Sequence, residues 1–125
     1  MSAYQLQKAI FSKLSTLSVP YYDDVPGDAT LPYVVIGDDT LADDNTNDFI
    51  GRQATVTIHS WSDYKGRSQI KQIQDEINTL LDRQKLSIVG YNSVNCYQEY
   101  SESSLDPDGI TRHGVQRFRV IFYKS

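Results

Sequence analysis

From Ala54 to Trp61 the chain alternates, with Ala54, Val56 and Ile58 on one side and Thr55, Thr57, His59 and Trp61 on the other. Alternation in β-branched residues marks a half-buried strand. Beyond Gly66 the period changes: Ile70, Ile73, Ile77, Leu80 and Leu81 recur at spacings of three, four, three and one. That pattern gathers them into one apolar stripe on an amphipathic helix. Between the two, Ser62 or Asp63 is expected to accept a bond from an orphan N–H in the first helical turn. Strand and helix together predict one layer pair, with the stripe lying on the strand's apolar face. The remaining elements must complete that layer.

The same reading extends in both directions. Ala3, Leu6, Ala9, Ile10, Leu14 and Leu17 predict a helix over residues 3–16, with Ser2 as its N-cap. Pro20 favours an extended segment over residues 19–22, and residues 23–31 carry turn chemistry around Pro26-Gly27. The apolar run 33–37, between Pro32 and a closing glycine, predicts the first strand. Residues 38–51 hold five aspartates and are expected to form a long solvated hairpin loop, with Phe49 and Ile50 opening the second strand. A third strand is expected over 91–100, with Val94, Cys96 and Gln98 inward and Asn95, Tyr97 and Glu99 outward. The turn Asp106-Pro107-Asp108-Gly109 leads to a fourth over 111–123. There Gln116, Phe118, Val120 and Phe122 face one way, and His113, Val115, Arg117, Arg119, Ile121 and Tyr123 the other. The order is α-β-β-α-β-β: an α+β domain with a four-stranded, mainly antiparallel sheet and two helices packed on one face. Strand four beside strand two gives the order 1-2-4-3, which is favoured. Strand three beside strand two would need a right-handed parallel crossover.

Composition narrows what this domain does. A length of 125 residues predicts one domain, residues 1–125, and 39% apolar with 22% charged residues is ordinary for a globular protein. No run of 18 apolar residues exists to span a membrane, and the N-terminus lacks the uninterrupted apolar core of a secretory signal. The single cysteine, Cys96, excludes an internal disulfide and suits a reducing cytosol. Residues 1–51 carry two lysines against eight aspartates, net −6, whereas residues 52–125 carry ten basic against eight acidic residues, net +2. A net acidic chain without a basic cluster is poorly suited to sequence-specific nucleic-acid binding. Uneven charge does suit head-to-tail self-association.

Catalytic and ligand motifs are scarce. A calcium loop starting at Asp43 would need glycine where Asp48 stands and glutamate where Ala54 stands. His59 and His113 lie on outward strand positions and can approach one another if strands two and four are neighbours. No HxxxH or HxH spacing supports a metal pair, and two exposed polar positions explain them better. Cys96 alternates with core positions and reads as a small buried hydrophobe. No glycine-rich phosphate loop, nucleophile elbow or metal-ligand series is present, so no cofactor is expected. Tyrosine is abundant, at nine of 125 residues. Tyr91, Tyr97, Tyr100 and Tyr123 lie on or near the last hairpin, where tyrosine serves either as a good strand former or as a protein contact.

The run Pro32-Tyr33-Val34-Val35-Ile36-Gly37 follows an N-terminal helix. After the acidic loop come Trp61-Ser62, Gly66 with the Ile/Leu helix, and a final Phe118-Arg119-Val120-Ile121-Phe122-Tyr123 strand. In this order and spacing, over residues 3–124, the chain resembles the tail-completion proteins of long-tailed bacteriophages, the tail-terminator or tail-to-head joining proteins. The resemblance implies a small α+β subunit forming a homo-oligomeric ring, usually a hexamer, at the head-proximal end of the tail tube. Its partners would be further copies, the tail-tube protein and head-connector or neck proteins, with DNA passing through the lumen without sequence-specific binding. Its place would be the virion tail or neck, after synthesis in the host bacterial cytoplasm. The family offers no catalytic residues and no ligand motif. The residues expected at the oligomer interface or lumen are therefore surface positions: Asp38, Asp39, Asp43, Asp44 and Asp48 of the acidic loop, and Tyr97, Arg117, Arg119 and Tyr123 of the last hairpin. Another neck component, a head-completion or minor tail protein, is the alternative. A small hydrolase or nuclease using His59 and His113 with a loop aspartate is a distant third.

Overall fold

The alternating stretch lies within β3, Ile50–Ser62, which sits at the centre of the sheet between β2, Tyr33–Asp43, and β6, Arg112–Lys124. The computed structural model describes residues 2–43, 50–91 and 93–124. Its other elements are α1, Ser2–Lys13; β1, Tyr21–Tyr22; α2, Ser68–Leu81; β4, Gln84–Lys85; and β5, Ser93–Leu105. The strand order is β1-β2-β3-β6-β5-β4. The four long strands thus run β2-β3-β6-β5, all antiparallel, in the 1-2-4-3 order expected from the sequence.

The expectation of four strands is corrected to six. β1 pairs parallel with β2, placing Tyr21 beside Val34, so the sheet is mixed. β4 forms because α2 ends abruptly. Asp82 is extended, Arg83 takes a left-handed φ of 59°, and the chain returns along β5, pairing Gln84 with Cys96. The Asp82 carboxylate fixes the return by accepting from the Gln98 N–H at 2.7 Å. Two-residue strands carry no periodicity of their own, so only their neighbours define them.

The acidic loop is also shorter than expected. β2 runs on to Asp43, and after a bulge between Ile36 and Asp39 it pairs residue by residue with β3 from Val56 to Arg52. The Thr40 and Thr55 hydroxyls meet at 2.6 Å, half-buried Leu41 packs against the core, and Asp43 pairs with Arg52 at 3.7 Å. These cross-strand contacts outweigh the weak strand propensity of aspartate. A third correction concerns α2, whose N-cap is Arg67 without a side-chain bond. Ser62 instead ends β3, bonding the Gln69 side chain and accepting from the Tyr64 N–H.

Both helices lie on one face, as the periodicity predicts. Leu6 and Ile10 of α1 and Leu14 just after it join Ile73, Ile77 and Leu81 of α2 in one cluster with Val34, Ala54, Val56, Ile58, Cys96, Phe118, Val120 and Phe122. Burying this surface is the main term holding the layers together. One polar seam crosses it. The Gln116 side-chain amide donates to Gln74 O and Gln98 Oε1, both at 2.9 Å, and Gln74 Nε2 donates to Glu102 O at 2.7 Å. Gly114 makes room for this seam, since a Cβ there would stand 2.6 Å from Gln74 Nε2. The seam pins α2 in register over β5 and β6.

Candidate assembly surface

Among the described residues, no element covers the sheet face opposite the helices. Strand alternation sends Arg117 and Arg119 to that face, because Gln116, Phe118 and Val120 are buried on the other. Register sets Tyr97 beside Arg119 and Tyr100 beside Arg117. The bulge between Gln98 and Tyr100 leaves Glu99 as an extra residue. Its carboxylate takes Arg117 Nε at 3.2 Å and Arg119 Nη2 at 2.9 Å. Gln53, with its side-chain oxygen turned toward Arg119, accepts two further N–H groups at 3.1 Å. The Arg117 guanidinium lies 5.6 Å from the Tyr100 ring centroid. Tyr100 donates to Glu102 at 2.6 Å, and this bond holds its phenol above the ordinary tyrosine range. Glu99 between the two guanidiniums and Glu102 beside Tyr100 together balance their charge, next to the exposed rings of Tyr97 and Tyr100. A fixed patch of paired charges and aromatic rings suits protein contact. Tyr123 faces the same side, further along β6 opposite Ser93.

At the other end of this face, His59, Trp61 and His113 stack. Trp61 and His113 lie 4.6 Å apart between centroids with 11° between planes, and Tyr33 adjoins Trp61 at 5.6 Å. His59 Nδ1 meets His113 Nε2 at 2.8 Å, so the two histidines do approach once β3 and β6 are neighbours. Asp106 stands 3.7 Å from the far nitrogen of His113. Among the described residues, no group of three potential ligands gathers around them or elsewhere. Burial, then the neighbouring His113, push the His59 pKa below 6.5, with Asp38 opposing. The folded chain therefore takes up this proton at lower pH than the unfolded chain. The stabilising contribution of neutral His59 is full above the ordinary histidine value and is lost as pH falls below it. In urea titrations between about pH 7.5 and pH 5.5, His59→Asn is expected to lose less stability than the wild type. Equal losses would assign the acid sensitivity to other groups.

The aspartates do not join the arginines. Asp39 pairs with Val56, whose side chain is buried under the helices, so Asp39 lies on the helix side of β2. There Asp23, Asp38 and Asp39 line a cleft with Leu6, Gln7 and Ile10 of α1. Asp43 shares that side through Arg52. Asp44 and Asp48 lie outside the described residues, as does half of the calcium-type loop considered above. Cys96 is fully buried, and burial together with Asp82 pushes its thiol up to about 12, in keeping with a core residue rather than a nucleophile.

Residues 8–123 match the family model described as tail completion protein gp17. The chain belongs to that family. This makes it a structural, non-enzymatic component of a phage-type virion tail. The tail completion protein gp17 of Bacillus phage SPP1 is 27% identical over 125 residues, covering 95% of this chain and 92% of that protein. A chain of the virion of a native gene transfer agent particle shares the fold. Its TM-score is 0.85 at 20% identity, with 97% of this chain and 96% of that chain covered. For a tail completion protein, alternation places Glu99 outward without pairing it to the arginines, and Gln53 is missed; Glu99 holds both arginines and Gln53 holds Arg119. Tyr100 faces outward as well, three positions from Tyr97, because of the bulge between Gln98 and Tyr100.

Proposed function

We propose that this chain is a ring-forming tail terminator, which caps the tail tube and joins it to the head. The observation carrying the reading is the uncovered sheet face, where Arg117 and Arg119 are held around Glu99 beside Tyr97 and Tyr100 in a chain of tail completion type. A rigid patch loses little entropy on docking and suits a repeated contact in a ring. Tyr97, Arg117, Arg119 and Tyr123 serve as assembly contacts in this reading. Asp38 and Asp39 meet a neighbouring subunit, and Asp43 stands at the rim of the lumen. Carboxylates there keep DNA from adhering, because phosphates release no counterions to them. The other partners are the tail-tube protein and the head connector, within a virion assembled in the bacterial cytoplasm.

Removing the gene from a producing phage or prophage tests the role by electron microscopy. Tails that grow past their normal length and stay unjoined to heads are expected. Tails of normal length carrying defective heads would place the chain at another neck position and overturn the terminator reading.

A further inference from the structure

The groove between α1 and residues 85–89 is lined by lysines and by no acidic residue. Two adjoining depressions of about 260 and 360 Å³ share Ala9, and the floor includes Leu86 and the exposed Val89. Lys8, Lys13 and Lys85 line them, and no acidic residue does. Among the described residues none of the three lysines forms an ion pair. Lys8 also borders Asp23 in a depression on the other flank of α1. The groove therefore holds two lysines with no carboxylate lining it beside them, Lys13 and Lys85, next to the apolar Leu86 and Val89.

The opposite charge stands at the other edge of the sheet. Asp23, Asp24 and Asp28 follow β1, and Asp38 and Asp39 lie on the adjoining stretch of β2; all five are exposed. The strand order puts β1 and β4 at opposite edges, so one molecule presents an acidic edge on one side of α1 and a lysine groove on the other. Complementary patches on different sides of one molecule make a head-to-tail contact, which closes into a ring when the rotation allows.

We propose that the groove between α1 and residues 85–89 receives the acidic β1–β2 edge of a second copy of this chain. The inference rests on the ring reading and names the contact that would build it. By contrast, Arg117 and Arg119 share an intramolecular carboxylate, so the lysine groove, with none, has more charge left for a neighbour.

The test uses two full-length variants, Lys13→Glu with Lys85→Glu and, separately, Asp24→Lys with Asp28→Lys. All four positions are solvent-accessible, so both chains are expected to fold, which circular dichroism checks. Each alone should raise the concentration for half-assembly at least about tenfold, because like charges then face each other. Mixed one to one, the two variants should co-assemble, since each groove then meets an edge of opposite sign. Sedimentation reads all three samples beside the wild type, in solution and on purified tail tubes. Assembly of the two variants only when mixed establishes the contact. If the single variants assemble like the wild type, or the mixture fails where the wild type succeeds, the contact is overturned while the ring stands. A wild type that stays monomeric in both settings overturns the ring reading and this contact with it.

Discussion

Replacing Phe118 with alanine is expected to lower the free energy of unfolding by about 3–5 kcal/mol. Phe118 is fully buried at the middle of β6, in register with Val56 on one side and Gln98 on the other. Truncation removes a large ring from the cluster joining the sheet to both helices, and neighbouring strands cannot close the gap without breaking their ladders. The loss therefore combines the transfer term with a cavity term. Phe118→Leu keeps most of the volume and should cost less than about 1.5 kcal/mol. Guanidinium titrations of the two variants read the difference directly. A loss under about 1 kcal/mol for alanine would mean that β6 does not carry the packed core.

The central strand order and the helix face were legible because long periodic segments signal their faces redundantly. In β6, Gln116, Phe118, Val120 and Phe122 are all buried and the intervening arginines exposed, as alternation requires. Ile73 and Ile77 are buried mid-stripe for the same reason. The meeting of His59 and His113 followed from strand order alone. What stayed illegible depends on partners distant in sequence. β1 exists because Val34 lies beside Tyr21, and β4 because Asp82 reaches the Gln98 N–H. The extension of β2 to Asp43 runs against aspartate's own preference and is set by Thr55 and Arg52 across the ladder. At the assembly surface, Arg117 and Arg119 were visible as outward positions. Glu99 falls outward by the same alternation, but its pairing with both arginines was not legible, because a one-residue bulge sets where it stands against β6.

Exchanging the three charges of the outer face, with Arg117→Glu, Arg119→Glu and Glu99→Arg in one chain, is expected to leave the monomer folded and abolish its assembly. The exchange rebuilds the intramolecular pairing with its signs inverted: one guanidinium now sits between two carboxylates on the same cross-strand register. Exposed pairs of this kind contribute at most about 1 kcal/mol each, so unfolding should move by roughly that amount or less. With Glu102 beside Tyr100, the face seen by a partner changes from balanced charge to two surplus negative charges. Acceptors of a partner that meet Arg117 and Arg119 then meet carboxylates, which costs several kcal/mol and weakens assembly at least about a hundredfold. The double variant Arg117→Glu with Arg119→Glu separates the two effects. It crowds three carboxylates around the bulge and should lose roughly 1 kcal/mol of monomer stability, in addition to assembly. Complementation of a phage lacking the wild-type gene, scored by infectious particles, reads assembly; urea titration of the purified chains reads folding. Full complementation by the triple exchange would show that this face meets no charged partner in the tail and would remove Arg117 and Arg119 from the interface.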